Sequence, residues 1–212
     1  MLQTQSIYPA TLELLKKLMA FEPLNQFNLV GGTALALQFW HRISVDLDLF
    51  SDSMFKELEL KSVIESFATS EGFTFEWEMV EEVSLVVNIN NIKVDIIRYP
   101  YPLIDTLIVE EGIRVLSPKD IAPMKLSAIA KRGAKKDFFD FYELSKKYSL
   151  QEMLQFYQEK FPHTDTTFLL RSLVYFNDAE LQDDPIMLKP YTWEQVKKEI
   201  TKQVNTFFEE QI

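Results

Sequence analysis

The segment that most constrains the fold runs from Leu29 to Ser51 and reads LVGGTALALQFWHRISVDLDLFS. A short apolar run ends at a Gly-Gly pair, which predicts a strand that enters a turn. The residues after the turn predict a short helix, for which Thr33 is a suitable N-cap. Asp46 and Asp48 then alternate with apolar residues, as in a half-buried strand. The order of strand, glycine turn, helix and strand indicates a mixed α/β unit.

The remaining sequence predicts a sheet domain followed by a helical domain. The helices predicted before residue 117 cover residues 9–21 and 54–69, the strands cover 73–80, 84–89 and 92–99, and residues 107–116 add a short strand pair around Gly112. Asn90-Asn91 is typical of a tight hairpin turn. Ser117 begins a helical pattern over residues 118–131, 135–147, 150–160, 165–176 and 192–209. We therefore predict an α+β fold with one domain over residues 1–116 and a helical domain over residues 117–212.

Composition argues against several classes of function. The chain is 47% hydrophobic and 25% charged, as soluble globular proteins are, and it has no apolar run that would span a membrane. Its start lacks the features of a signal peptide, so we expect a cytoplasmic location. A net charge of −10 argues against broad, non-specific binding to nucleic acid. With no cysteine and two histidines, the chain is unsuited to a thiolate or imidazole zinc site.

Three aspartates suggest a site for metal ions. Asp46 and Asp48 are two residues apart on a predicted strand, so their carboxylates face the same side. Asp95 is a third acid in an otherwise apolar strand, where a carboxylate needs compensation. If the two strands are neighbours, the three carboxylates converge, and such all-oxygen ligands favour Mg²⁺, Mn²⁺ or Ca²⁺. This set suits chemistry in which two ions activate a hydroxyl and stabilise a leaving pyrophosphate.

The turn of Gly31, Gly32 and Thr33 has the features of a phosphate-binding loop. Glycines allow backbone amides to approach a phosphate closely, and the N-terminus of the following helix favours an anion. The alternative is a purely structural turn followed by a strand with a solvated polar face. The turn and the aspartate pair in this order favour the functional interpretation.

The helical half contributes a lysine and two acids. Lys125 has largely apolar neighbours on its predicted helix, so it is either aimed at nucleotide phosphates or extends to the surface as an ordinary lysine. Asp137 and Asp140 are three residues apart and share one helix face. Alone, they also fit an amphipathic helix whose acids point outward.

Basic residues are concentrated in the same region. Six of the 22 Lys and Arg residues lie within 18 positions, namely Lys119, Lys125, Lys131, Arg132, Lys135 and Lys136. They form either a solvated helix face or a local basic wall for RNA, and those just before Asp137 could instead pair with the acids. His41 and Arg42 lie at the end of the predicted short helix, where they could contact a ligand, although helix C-termini attract cations in any case.

Taken in order, these segments resemble a known family. The segments GGTALAL, HRISVDLDLF, VDIIRY and IRVLSPKDIAPMKLSAIAKRGAKKDFFDFYEL are similar to the AbiEii/AbiGii-type nucleotidyltransferase toxins of type IV toxin–antitoxin and abortive-infection systems. These toxins belong to the DNA polymerase β-like superfamily. The resemblance runs from about Phe27 to Leu144, and it implies a nucleotidyltransferase-fold mixed sheet with helices, followed by a C-terminal helical bundle.

The resemblance also implies roles for individual residues. The catalytic set comprises Asp46, Asp48, Asp95, Lys125 and Asp140. The nucleotide-binding set comprises Gly31, Gly32, Thr33, Lys125 and Asp137. The metal ligands implied are Asp46, Asp48 and Asp95, of which Asp95 is alternatively a general base for the acceptor hydroxyl.

The activity implied is transfer of a nucleoside monophosphate from an NTP to an acceptor hydroxyl, with Mg²⁺ or Mn²⁺ as cofactor. We expect the acceptor to be an RNA 3′ end, such as that of tRNA, and a cognate antitoxin encoded nearby as a partner, with no membrane involved. One alternative is an acceptor on a protein or a small molecule. Another is a non-catalytic module of the same fold that binds a nucleotide or a partner protein.

Overall fold

The computed structural model describes residues 1–210, so the last two residues of the predicted domain 117–212 lie outside the described residues. The chain divides into two units. The first comprises Met1–Gln38, Ser44–Pro102 and Leu107–Leu116, and the second comprises Phe39–Ile43, Leu103–Thr106 and Ser117–Ile212. The domain boundary after residue 116 stays a prediction, and two short segments from before it group with the second unit.

A mixed sheet is the centre of the first unit. Among residues 1–210, its seven strands are β1 (Asn28–Val30), β2 (Leu47–Ser51), β3 (Phe75–Glu81), β4 (Ser84–Ile89), β5 (Ile92–Arg98), β6 (Ile108–Glu110) and β7 (Ile113–Val115). The strand order is β3-β4-β5-β2-β1-β7-β6. The β2–β5 and β1–β7 pairs are parallel, and the other neighbours are antiparallel. The sheet confirms the predicted α+β class.

Alternation along the strands decides which side chains enter the core. In β2, Leu47 and Leu49 are buried, whereas Asp48 between them is half-buried. In β5, Asp95 is likewise half-buried between two fully buried apolar residues. Because successive side chains of a strand point to opposite faces, each aspartate lies on the face opposite to its buried neighbours.

The hairpin between β4 and β5 fixes their register. Asn90 and Asn91 have φ angles of 48° and 65°. Positive φ at both central residues is what a two-residue type I′ turn requires, and asparagine tolerates it better than most residues. The turn pairs Ile89 with Ile92, as the sequence predicted.

The helices of the first unit are α1 (Pro9–Ala20), α2 (Gly31–Phe39) and α3 (Glu57–Ser70). Helix α1 contacts β7, and α3 contacts β3 and β4. Helix α2 follows β1 directly, and most of its side chains are buried, including Leu35 and Leu37. A helix that is buried nearly all round holds its first turn firmly in place beside the sheet.

The second unit is helical. Its elements are α4 (Pro118–Arg132), α5 (Lys135–Leu144), α6 (Leu150–Lys160), α7 (Thr167–Leu173), α8 (Asn177–Glu180) and α9 (Trp193–Glu209). Helices α4 and α9 each contact α6 and α7, and each also contacts α5. Side chains of Ser117, Ser149 and Thr192 cap three of these helices. The helix predicted over 165–176 is shorter in the structure, and α8 was not predicted.

A buried ion pair ties one of the short segments to this helical unit. Lys160 Nζ lies 2.9 Å from Asp120 Oδ1, and both side chains are fully buried. The same carboxylate accepts hydrogen bonds from the backbone N–H groups of Ile104 and Asp105 at 2.8 and 3.1 Å. These contacts explain why residues 103–106 group with the helices. No helix within residues 1–210 has the length and apolar character needed to cross a membrane.

Candidate active site

The predicted site residues fall into two sets, one in each unit. Those of the first unit are Gly31, Gly32, Thr33, Asp46, Asp48 and Asp95. Those of the second unit are Lys125, Asp137 and Asp140.

The sheet brings two of the three predicted metal ligands side by side. Asp48 and Asp95 are paired residues in the parallel β2–β5 ladder, so their side chains leave the sheet as neighbours on one face. Asp46 lies immediately before β2. Strands β2 and β5 are therefore neighbours, which is the condition under which the sequence predicted that the carboxylates converge.

Lys93, which the sequence analysis did not single out, lies at this carboxylate face. Its Nζ is 2.9 Å from Asp95 Oδ1 and 3.1 Å from Asp95 Oδ2. Burial lowers the pKa of the Lys93 ammonium, but Asp95, Asp46 and Asp48 outweigh this effect and raise it. The period-2 spacing of Lys93 and Asp95 in IKVDIIRY is the sequence signal that could have revealed this contact.

The donor atoms at this face fit a divalent cation. Carboxylate oxygens are the ligands that Mg²⁺ and Mn²⁺ prefer, and the buried Asp95 Oδ1 forms an ion pair with Lys93 without a well-directed hydrogen bond. Their present arrangement differs from a metal site, because no group of three or more His, Cys, Asp or Glu side chains among the described residues is placed to hold an ion. Metal ligation by Asp46, Asp48 and Asp95 stays a prediction.

The glycine turn lies against Asp48 of β2 and against the backbone of Asp46, just before this strand. Gly31 has a φ of +70°, and a Cβ there would overlap Asp48 Oδ2 and lie 2.9 Å from Asp48 Cγ. The Thr33 hydroxyl hydrogen-bonds the Ser44 hydroxyl at 2.9 Å and the backbone carbonyl of Asp46. Helix α2 begins at Gly31, so the predicted N-cap role of Thr33 is wrong. The turn thus makes room for one carboxylate and fixes the backbone that carries the other.

In the helical unit, Lys125 is buried among acids. It is 4% exposed, and its Nζ lies 2.9 Å from Asp137 Oδ1 and 2.5 Å from Asp140 Oδ2. Both aspartates are fully buried. The alternatives of a surface lysine and of outward-pointing acids are therefore wrong.

Two neighbouring residues of segment 39–43 also bind the Asp140 carboxylate. Arg42 Nε donates to Asp140 Oδ1 at 2.7 Å, and its Nη2 donates to Oδ2 at 2.9 Å. His41 Nε2 lies 2.7 Å from Oδ1. The sequence attributed His41 and Arg42 to the end of a helix, whereas in the structure they bind a carboxylate about a hundred positions away. We call the set of His41, Arg42, Lys125, Arg132, Asp137 and Asp140 the buried ion cluster.

The charges within this cluster follow from its contacts. Burial alone would raise the pKa of Asp140, but Arg42 and Lys125 hold it well below its usual range. Burial likewise opposes ionisation of Asp137, whose pKa is nevertheless lowered by Lys125 and Arg132. Burial lowers the pKa of His41 despite the raising effect of Asp140. His41 is thus neutral near pH 7, and the contact assigns its proton to Nε2, which donates to Asp140.

The basic residues before Asp137 are largely paired with acids. Arg132 Nε donates to Asp137 Oδ2 at 2.8 Å. Lys119 lies 3.3 Å from Asp105, and Lys135 lies 3.0 Å from Asp184. With Lys125, at least four of the six clustered cations have carboxylate partners. This pairing reduces the net positive charge that the cluster offers to an RNA backbone.

The family of the chain is decided by comparison with known proteins. A family model described as "Nucleotidyl transferase AbiEii toxin, Type IV TA system" matches residues 13–210. The chain belongs to this family. It is therefore an AbiEii nucleotidyltransferase, and the resemblance seen in its sequence is confirmed.

Relatives of this AbiEii nucleotidyltransferase match over most of their length. An uncharacterised protein of Aquifex aeolicus is 34% identical over 203 residues, which are 93% of this chain and 95% of that protein. JHP933 from Helicobacter pylori matches with a TM-score of 0.58 and 18% identity, over 99% of this chain and 94% of that chain. MenT4, a nucleotidyltransferase toxin from Mycobacterium tuberculosis, matches with a TM-score of 0.53 and 14% identity, over 91% and 82% of the two chains. The match to MenT4 confirms the nucleotidyltransferase fold.

Proposed function

We propose that this AbiEii nucleotidyltransferase transfers a nucleoside monophosphate from an NTP to the 3′ hydroxyl of an RNA such as tRNA, with Mg²⁺ or Mn²⁺ as cofactor. The observation that carries the proposal is the pairing of Asp48 with Asp95 on one face of the sheet, directly against the Gly31 turn. Carboxylates beside a glycine turn support this proposal, because one bound triphosphate and its metal ion would need both kinds of group close together.

The carboxylates Asp46, Asp48 and Asp95 would hold the divalent cation. When bound, such an ion polarises phosphoryl oxygens and favours ionisation of an attacking hydroxyl. Asp95 is also a candidate to accept the proton of the acceptor hydroxyl, for which the Lys93 ammonium, 2.9 Å from its Oδ1, would first have to move aside. Asp48 is held in place by its ladder partner and by contact with Gly31, so its geometry is set before substrate binds.

The first turn of α2 would bind the nucleotide phosphates. The free N–H groups at a helix N-terminus attract anions, and Gly31 and Gly32 present backbone with no side chain to block the approach. The Thr33 hydroxyl already has protein partners. We therefore propose that Thr33 contributes by orienting the backbone of Asp46, while the phosphates meet the backbone of the turn.

Lys125, Asp137 and Asp140 require a different interpretation from the one that their motif implies. For Lys125 to bind a phosphate directly, its ammonium would have to exchange a buried carboxylate for the ligand. The geometry supports a positioning role, in which the buried ion cluster joins α4, α5 and segment 39–43 into one rigid part. Removal of one member would leave buried charges without partners, so such a cluster tolerates little movement.

The charge distribution limits how RNA can bind. With a net charge of −10 and most of the clustered cations paired, a long duplex contact is unfavourable. An RNA that enters by its 3′ end presents few phosphates and the reactive hydroxyl together. Family membership supports a cognate antitoxin as the partner that restrains this activity. The same negative charge favours the second candidate function, in which the acceptor is a cationic small molecule or a protein.

The acceptor can be identified by offering each candidate with α-labelled NTPs. We expect label from one or more NTPs to appear on total tRNA in the presence of Mg²⁺, to resist protease, and to be released by ribonuclease. EDTA should abolish the labelling. Label on added protein or on an aminoglycoside, with none on RNA, would replace the RNA proposal with the second candidate function.

A further inference from the structure

We propose that the Lys93 ammonium is a tethered cation that partly neutralises the carboxylate face in the metal-free protein and leaves this face when a divalent metal binds. The inference rests on the proposed function, because it concerns the same carboxylates. It makes Lys93 a positioning residue that opposes metal binding and sets the affinity of the site for metal.

The position of Lys93 follows from the strand geometry. Lys93 and Asp95 are two residues apart on β5, so they share one face, and Asp48 is the ladder partner of Asp95 on β2. The ammonium lies within 3.1 Å of both oxygens of Asp95. A bound Mg²⁺ would need oxygen atoms of this face at about 2.0–2.1 Å. An ammonium in contact with both Asp95 oxygens therefore competes with the metal for the same ligands.

The charge balance supports this competition. The paired carboxylates of Asp48 and Asp95 repel one another unless a cation lies beside them, and the Lys93 ammonium lies 2.9 Å from Asp95 Oδ1. The lysine supplies one positive charge, whereas a divalent ion supplies two. A divalent ion would therefore offset more of the repulsion between the carboxylates than Lys93 does.

The side chain of Lys93 is able to leave. It is 39% exposed, in contrast to Lys125, whose side chain is 6% exposed and held by two acids. A lysine has a flexible four-carbon stem and a strongly hydrated ammonium, so transfer of Lys93 to solvent costs little. Neither feature would be expected of a lysine that serves only to hold the fold together.

The test is calorimetric titration of Mn²⁺ alone into the full-length wild type and the variants Lys93→Met, Lys93→Arg and Lys56→Met. Lys56 is the matched control, because it pairs with Glu59 at 2.6 Å on the exposed surface of the same unit. We expect Lys93→Met to bind Mn²⁺ about tenfold more tightly or better, since a neighbouring charge changes ionic equilibria by this order. Lys93→Arg should bind no more tightly than wild type, and Lys56→Met should match wild type.

Each outcome decides the proposal. If wild type binds Mn²⁺ and Lys93→Met binds with the same or lower affinity, the tethered cation is refuted while the metal site of the proposed function stands. If neither binds, both proposals fail. Should Lys93→Met not fold, Lys93→Gln provides the same loss of charge, with the same expected result. In EDTA, folded Lys93→Met should also melt below wild type, because the three acids then lack their cation.

Discussion

Gly31→Ala is expected to reduce nucleotidyl transfer by about 100-fold or more, because displacement of catalytic groups by about 1 Å has effects of this size. The new Cβ would overlap Asp48 Oδ2 and lie 2.9 Å from Asp48 Cγ, so the carboxylate must leave its present position. The φ of +70° adds strain of about 1 kcal/mol for any residue other than glycine. The measurement is the rate of label transfer from an α-labelled NTP at saturating Mg²⁺.

Gly72→Ala is the matched control for this change. Gly72 has a φ of +69°, almost equal to that of Gly31, but a Cβ at residue 72 meets no atom within 4 Å. Gly72→Ala should therefore lose about 1 kcal/mol of unfolding free energy and retain its transfer rate. Equal rates for the two variants would show that close contact between the turn and Asp48 is unimportant for the reaction.

Asp140→Ala is expected to lower the free energy of unfolding by about 3–5 kcal/mol, the usual cost of removing one partner of a buried ion pair. The change removes the carboxylate that receives both Arg42 and His41 and leaves Lys125 with Asp137 alone. Urea unfolding followed by circular dichroism measures the loss. Asp183→Ala, at an exposed position of the same unit, should change the free energy by less than about 0.5 kcal/mol.

The pH dependence of the free energy of unfolding, compared between wild type and Asp140→Ala, provides a second test. The folded-state pKa of Asp140 lies well below the unfolded value of about 3.9. Its stabilising contribution is therefore fully present above about pH 4 and is lost as the pH falls toward the folded-state pKa. The difference in stability between wild type and Asp140→Ala should accordingly shrink in acid. A difference that is already small at pH 7 would contradict the role assigned to the buried ion cluster.

Local patterns predicted most of the secondary structure. The alternation around Asp48 and Asp95 identified two strands and, on each strand, the face on which its acid lies, because side-chain direction in a strand depends only on its period. The Asn90-Asn91 turn was predictable for a similar reason, since few residues tolerate positive φ. The predicted start of α2 was too late. Thr33 was expected to cap the helix after a glycine turn, whereas the helix already begins at Gly31.

Long-range contacts explain what the sequence could not reveal. The spacing around Lys125 could not show whether its side chain is buried. Its partners lie outside its own helix, and periodicity gives no distance to them. His41 binds an acid 99 positions further along the chain. Two short segments group with the helical unit through such contacts, and no local signal marks them. The family resemblance gave roles to Lys125, Asp137 and Asp140 of the buried ion cluster but none to His41, Arg42 and Arg132, and the contact with nucleotide that it implies stays a prediction.

The most direct test of the central claim, that aspartates of the sheet carry nucleotidyl transfer, is one comparison of labelling rates. Wild type and the double variant Asp46→Ala/Asp48→Ala are incubated with each α-labelled NTP, Mg²⁺ and total tRNA. Loss of ligands for a catalytic metal removes several kcal/mol of transition-state stabilisation, so we predict a rate at least about 1,000-fold lower for the variant. Labelling by the folded double variant at the wild-type rate would contradict the account.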